Sequence, residues 1–263
     1  MIKRELKVNL KSFIIWLSIL MFIFLLVYLI YPFILTDEAM KNIDEFIKVF
    51  PEELLKTFNM DMASISTAYG WFKSEGFAFI LIIIGLYSSI LGGTILLKEE
   101  SDKTIEYLYT LPIKRKDIVT SKVIVGLIYI TLMVLIFGLF NYISLSIIGD
   151  LQVKQFILLS ITPLLIGYPL FGINLFISTF LHKTKKTIGI SLGMVFIFYI
   201  INVLSELSTK VEILKYFSIY TLADIRNVIT EVRINPIYVI ISIIITILFI
   251  ILSYRNYEKK ELI

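Results

Sequence analysis

The side chains that could carry acid–base or ligand chemistry are concentrated in one polar segment, residues 98–122, between two long apolar runs. This segment has the densest charge of the chain. Elsewhere such chemistry is sparse, because the chain contains no cysteine and a single histidine, His182. Thiol, disulfide and iron–sulfur chemistry are therefore excluded. The sequence also offers no nucleophile paired with a base and no cluster of metal-binding residues. We therefore predict no catalytic residue and no metal site.

The sequence lacks the G-x-x-x-x-G-K-[ST] loop that binds nucleotide phosphates. We therefore do not expect the chain to hydrolyse ATP alone, and we expect it to bind no cofactor directly. A basic isoelectric point near 9 raises the alternative of nucleic-acid binding. No basic tract is dense enough to support that alternative, so nucleic acid is not an expected partner.

Composition indicates a membrane protein. Hydrophobic residues make up 58% of the chain and charged residues 17%, with a mean hydropathy of +0.89. Soluble domains carry about 25% charged residues. A helix needs about 20 apolar residues to cross a bilayer, and six runs without Asp, Glu, Lys or Arg are near or above that length. These predicted spans are 12–36, 76–97, 123–149, 155–181, 187–205 and 234–254.

The distribution of Lys and Arg predicts the orientation. With both termini in the cytoplasm, 16 basic residues lie inside and 9 outside, as the positive-inside rule requires. The first apolar run lacks a small-residue cleavage site and is long for a signal peptide, so we expect it to remain as an anchor. The prediction is a single all-α transmembrane domain over 1–263, embedded in lipid in the plasma membrane.

Three segments outside the spans predict interfacial helices. Residues 1–11 intersperse basic residues with Ile2, Leu6 and Leu10, a spacing that predicts an N-terminal helix against the inner leaflet. The first outer loop, 37–75, reads as a broken amphipathic helix on the outer surface. Val211, Leu214 and Phe217 recur every third residue and predict a second outer-face helix.

The polar segment itself predicts a short amphipathic helix. Ser101 or Asp102 is a suitable N-cap, and Pro112 would end the helix. Between them Ile105, Leu108 and Leu111 recur every third residue as an apolar stripe. The residues alone leave two interpretations open: a solvated connector between two spans, or a docking element for a soluble partner.

The pattern E-E-x-x-x-T-I-E-x-L-x-x-x-P-I-x-R, followed by Lys122 at the start of the next span, resembles the permease subunit of type-2 ABC exporters. The resemblance extends over the whole chain, and residues 1–11 resemble that family's elbow helix. Many members have Gly immediately before the Thr, where this chain has Lys103. The residues that carry the pattern or flank it are Glu99, Glu100, Lys103, Thr104, Ile105, Glu106, Leu108, Leu111, Pro112 and Arg115.

The resemblance implies that 101–112 is a cytoplasmic coupling helix that docks on a separate ABC ATPase, which would bring ATP and Mg. It also implies a second permease copy or a homologue as partner, and a bacterial host. The substrate would be amphipathic, such as an antimicrobial peptide, drug or lipid, with cations also possible. On this interpretation the first, second and fifth spans would tilt when the ATPase closes.

Buried amides and hydroxyls within the spans have two open interpretations, interhelical hydrogen bonds or a translocation path. A secondary transporter would need an acidic residue inside a span, and none is present. A non-transporting membrane scaffold or sensor remains the alternative function. The residues in question are Asn141, Ser144, Asn174 and Asn202.

Overall fold

The computed structural model describes residues 1–34, 67–104, 114–149, 151–207 and 209–260, with isolated helical positions 41, 45 and 49. Within these residues there are six helices long and apolar enough to cross a membrane, and no strand. The predicted all-α fold with six spans is confirmed. The helices are α1 (Ile2–Ile34), α2 (Ala68–Ile95), α3 (Arg115–Ile148), α4 (Val153–Ser178), α5 (Thr184–Leu207) and α6 (Pro236–Lys259).

Several helices begin well before the uncharged runs that predict them. α2 starts at Ala68 and reaches its apolar part through a π-helical turn, Phe72–Gly76, that contains Lys73 and Glu75. The backbone of a helix continues past the hydrocarbon boundary because its hydrogen bonds do not require apolar side chains. Charge therefore locates the part of each helix that fits the bilayer, and not the ends of the helix.

The N-terminal residues do not form a separate helix. Residues 2–11 are the first turns of α1, which runs unbroken for 33 residues, so the expected elbow helix is not confirmed. Ile2 and Leu10 are exposed on this helix, as residues that face the inner leaflet would be, whereas Glu5, Asn9 and Phe13 are buried against the protein. A polar stripe is buried there because Glu5 pairs with a lysine of α3.

The centre of the bundle is the pair α2 and α4. In each of them 61% of an apolar 18-residue stretch is buried, against 17% in α5 and in α6 and 22% in α1. The outer helices expose Ile, Leu and Phe on their free faces, as helices in contact with lipid do. Movement of α1, α5 or α6 against lipid therefore disturbs fewer protein contacts than movement of α2 or α4.

Close contact between the two central helices depends on a glycine. A Cβ atom at Gly92 of α2 would lie 2.3 Å from the carbonyl oxygen of Phe171 in α4. Gly126 of α3 also lies close to Phe171, because a Cβ atom at Gly126 would be 2.3 Å from the Phe171 ring. The small residue at Gly92 thus allows the close approach of the two helix backbones.

α4 consists of two helical segments. The helix stops after Ile161 and resumes at Leu164, with Thr162 and Pro163 between. Pro169 lies inside the second half without ending it. At the break the carbonyl of Leu158 accepts from both the backbone amide and the hydroxyl of Thr162, at 3.1 and 2.8 Å.

The connection from α5 to α6 is folded onto the end of the bundle that lies opposite both termini, which we call the distal end. It contains 3-10 helices at Thr209–Phe217 and Ile219–Ala223 and a short α-helix at Arg226–Glu231. The predicted outer helix is therefore present as a 3-10 helix, in which residues three apart share a face. The rest of the predicted first-loop helix, 35–66, lies outside the described residues apart from the three isolated positions.

We predict that Gly92→Ala destabilises the protein by about 1–3 kcal/mol, because the added methyl group must push α2 away from the α4 backbone. Gly189→Ala is the matched control, since a Cβ at that position of α5 meets nothing within 4 Å. Thermal unfolding of both variants in detergent measures the difference. Equal melting temperatures would contradict the close approach at Gly92.

Candidate functional site

The two adjacent glutamates that follow α2 point into the protein. Glu99 and Glu100 lie on a helical turn, Lys98–Ser101, and are only 5% and 7% exposed. This turn lies at the end of the bundle that carries both termini, which we call the terminal end. Because the two residues are neighbours on one turn, their carboxylates reach in different directions and meet different helices.

Glu99 pairs with Lys122 of α3. The Lys122 Nζ atom lies 2.7 and 2.9 Å from the two Glu99 oxygens and is fully buried. The same Nζ atom donates to the Ile95 carbonyl at 2.6 Å and to the Glu5 carboxylate of α1 at 3.3 Å. Lys122 thus uses all three ammonium donors on α1 and α2.

This cluster is close to charge balance. Glu5 and Glu99 contribute two negative charges, Lys122 contributes one positive charge, and Arg4 lies 3.8 Å from Glu99. Removing an ion from water costs several kcal/mol, a cost that is offset only when its partners and hydrogen bonds are all in place. The cluster therefore holds α1, α2 and α3 in one arrangement at the terminal end.

Glu100 reaches the remaining helices. Its carboxylate accepts from Lys260 Nζ at 2.7 Å and lies 3.2 Å from His182 Nδ1, in the connection between α4 and α5. Lys260, directly after α6, also donates to the Leu181 carbonyl at 2.6 Å. Burial lowers the pKa of Lys260 from its usual value, and the ion pair with Glu100 opposes that shift.

Arg115 joins the start of α3 to the end of α6. Its guanidinium donates to the carbonyls of Tyr257, Glu258 and Lys260 at 3.4, 3.0 and 2.9 Å. A cation at this place satisfies carbonyls that have no partner within the helix. Six residues together make what we call the ionic junction: Glu5, Glu99, Glu100, Arg115, Lys122 and Lys260.

The turn after Glu100 shows why a glycine would suit the position that Lys103 occupies in this chain. The Thr104 amide donates to the Glu99 carbonyl and the Lys103 amide to the Glu100 carbonyl, the two bonds of a Schellman motif. In that motif the residue at Lys103 adopts a left-handed backbone, and here its φ is 56°. Glycine fits this conformation without strain, which accounts for the glycine found in many members of the family.

Of the other residues predicted for the coupling helix, the structure describes only the first few. Ser101 ends a helical turn and does not begin one, and neither Asp102 nor Lys103 nor Thr104 is helical. The coupling helix itself stays a prediction, since most of it falls on residues 105–113, outside the described part of the chain. Those residues include Ile105, Glu106, Leu108, Leu111 and Pro112.

The buried amides within the spans make hydrogen bonds to neighbouring elements. Asn141 accepts from the Tyr28 hydroxyl of α1, and Asn174 accepts from Ser191 of α5 at 2.8 Å. Asn202 accepts from Thr221 at 3.1 Å in the distal connection. These bonds favour the interhelical interpretation for the three amides, whereas no hydrogen bond within the described residues decides the role of the half-buried Ser144.

Sequence reasoning missed two members of the ionic junction, Glu5 and Lys260, and placed no weight on His182. Glu5 did leave a signal, because it is the only acidic residue in the sequence of α1 and stands among basic residues. Lys260 left none, since it is one of several basic residues after the last span. Both contacts join positions more than 100 residues apart.

We predict that Lys122→Met destabilises the protein by about 3–5 kcal/mol, because it leaves the buried carboxylates of Glu5 and Glu99 without their cation. Adding Glu99→Gln should recover part of that loss by removing one of the two uncompensated charges. Chemical unfolding in detergent micelles measures both effects.

Lys116→Met is the matched control for this substitution. Lys116 pairs with Glu258, but both side chains are largely exposed, and exposed pairs contribute about 0–1 kcal/mol. If Lys122→Met and Lys116→Met lost the same stability, the buried cluster would not hold the helices together.

We predict that Lys103→Gly stabilises the turn by about 1 kcal/mol, because glycine adopts the left-handed backbone without the steric cost of a side chain. Lys103→Val should have the opposite effect, since a β-branched residue fits that conformation poorly. Hydrogen exchange of the Thr104 amide reports the turn directly. Faster exchange in the glycine variant would contradict the prediction.

Comparison with known proteins adds the family. A family model described as ABC-2 family transporter protein matches residues 1–262. No curated protein matches the chain. The match covers the six spans, the polar segment and the whole ionic junction. The chain belongs to the ABC-2 transporter family and is a multi-pass membrane protein.

Proposed function

We propose that this chain is the permease subunit of an ATP-driven exporter. A separate ABC ATPase would dock on the predicted coupling helix, and ATP and Mg would be bound by that partner. Membership of the ABC-2 family and the absence of a phosphate loop from the sequence support this division of labour. The terminal end would face the cytoplasm, in agreement with its excess of Lys and Arg.

One observation carries the proposal: both ends of the segment 105–113 are anchored in the ionic junction. On one side Thr104 follows the turn that carries Glu99 and Glu100. On the other side Arg115 begins α3 and binds the end of α6. A force on the segment would thus act on paired, buried charges and not on a slack loop.

The junction would distribute such a force among the spans. Glu99 and Lys122 link the second and third spans to the first, while Glu100 and Lys260 link the second span to the sixth and to the connection before the fifth. Few buried contacts oppose movement of α1, α5 and α6. We therefore propose that α2 and α4 stay fixed while α1, α5 and α6 move. This keeps the first and fifth spans of the set expected to tilt and replaces the second span, which is 61% buried over its apolar stretch, by the sixth.

We propose a second copy of the chain, or a homologous permease, as the other half of the transporter, with the substrate path between the two. An amphipathic substrate such as an antimicrobial peptide, drug or lipid would suit the apolar outer faces of the helices. Asn141, Asn174 and Asn202 would act mainly through the hydrogen bonds they make within one subunit.

We predict that Leu108→Asp abolishes docking of the ATPase, because a carboxylate in the apolar stripe must be buried when the helix enters its partner. The test is affinity purification in mild detergent with mass spectrometry of the proteins that co-elute. A soluble ATPase at near-equal stoichiometry is expected with the unchanged chain, and its loss is expected with the variant.

Lys185→Asp serves as the control, because it places a carboxylate on an exposed position of α5 at the same end of the bundle. This variant should retain the ATPase. Recovery of the ATPase with Leu108→Asp would reject the docking role of the segment. Failure to recover any ATPase, in several detergents and in nanodiscs, would favour a membrane scaffold or sensor.

A further inference from the structure

A cavity of about 200 Å³ lies beside the ionic junction at the terminal end. At roughly 30 Å³ for each water molecule in the liquid, this space is sufficient for about six waters or for a small polar group. The walls come from α1, from α2 and the turn that follows it, and from the first residue of α5. The lining residues are Asn9, Ser12, Trp16, Tyr87, Ile90, Leu91, Thr94, Lys98 and Thr184.

The lining contains a cation and no acid. Lys98 donates to the Val8 carbonyl at 3.2 Å, and no described carboxylate pairs with it. An ammonium group has three donors, so two remain for a ligand. The neighbouring acids Glu5 and Glu99 are already engaged by Lys122. The positive charge of Lys98 in this cavity is therefore uncompensated within the described chain.

The remaining polar groups also offer donors. Tyr87 is only 2% exposed, and its buried hydroxyl has no hydrogen-bond partner in the described part of the protein. Asn9 and Thr94 direct one bond each to backbone carbonyls of their own helices, Asn9 to Glu5 and Thr94 to Ile90. A cavity with a free cation and an unused hydroxyl favours an anionic ligand.

An exposed apolar face of α1 continues from the cavity. Ser12 lines the cavity and is exposed, and Ile15 and Ile19 follow it on the same face of α1 at the spacing i+3 and i+7. Both isoleucines are also exposed. A molecule with a phosphate in the cavity would lay an alkyl chain along this face, whereas a free phosphate would leave the apolar surface uncovered.

We propose that this cavity binds the phosphate headgroup of an anionic phospholipid, with Lys98 as its cationic ligand and its acyl chain against α1. The Trp16 ring lines the cavity 6.2 Å from the Tyr87 ring between centroids, and tryptophan is enriched in membrane proteins at the level of the lipid headgroups. The site is independent of the ATPase partner, so its test does not depend on the proposed function.

The chain contains only two tryptophans, Trp16 and Trp71. Trp71→Phe leaves Trp16 as a single fluorescent reporter inside the cavity. We would place this variant, as the full chain, in phosphatidylcholine nanodiscs with increasing fractions of phosphatidylglycerol. A saturating change in Trp16 emission is expected. A change that only follows the bulk lipid fraction without saturation would overturn the proposal.

Lys98→Gln in this background should raise the half-saturating fraction of phosphatidylglycerol about tenfold, equivalent to about 1.4 kcal/mol. Lys185→Gln removes one exposed positive charge at the same end and should leave the titration unchanged. Equal shifts in the two variants would overturn the proposal, because they would reveal attraction by surface charge alone.

Ser12→Leu keeps every charge and fills part of the cavity, so it should also weaken the change in Trp16 emission. This variant provides the test if Lys98→Gln fails to fold. Glycerol 3-phosphate, added to nanodiscs of phosphatidylcholine alone, distinguishes the source of the phosphate. No saturating change in Trp16 emission is expected from it. A saturating change would overturn the lipid as occupant and assign the cavity to a free phosphate ester.

Discussion

Two adjacent carboxylates, buried at the end of one helix, constrain the whole terminal end of this protein. A buried carboxylate without a cation is too costly to keep charged, so Glu99 and Glu100 each require a partner from another helix. Because they are consecutive on a helical turn, those partners must come from different sides. Lys122 of α3 pairs with Glu99 and also binds Glu5 of α1, and Lys260 reaches Glu100 from the end of α6.

The central pair of helices obeys a different constraint. α2 and α4 approach closely where Gly92 faces the backbone of Phe171, and dispersion between close surfaces is the main attraction available to helices in lipid. The terminal end is thus held by charge and the middle by packing. The two kinds of contact depend differently on distance. The energy of an ion pair falls more slowly with a small displacement than the energy of two backbones in van der Waals contact.

The spans and the fold class could be predicted from the sequence because they depend on local composition. Hydropathy and charge are read over about 20 neighbouring residues, and six helices followed from them. The ionic junction could not be predicted, because it joins Glu5 to Lys122 and Glu100 to Lys260 across more than 100 residues. The burial of Glu5 could not be predicted for the same reason: local spacing concerned only Ile2 and Leu10, whereas the distant Lys122 accounts for the buried carboxylate on the same helix. The turn at Lys103 could be predicted only in part. The resemblance pointed to a glycine at this position, but the left-handed backbone that favours glycine is visible only in the structure.

The position of Lys260 has a consequence for how the protein is made. Membrane helices are inserted as they are synthesised, and domains generally form from the N-terminus onwards. Glu99 can meet its lysine as soon as the third helix is in place, but Glu100 must wait for a residue that follows the sixth. During that interval one carboxylate of the pair remains without its cation. The junction thus closes last at Glu100, and its closure distinguishes a chain with all six helices from one that is still incomplete.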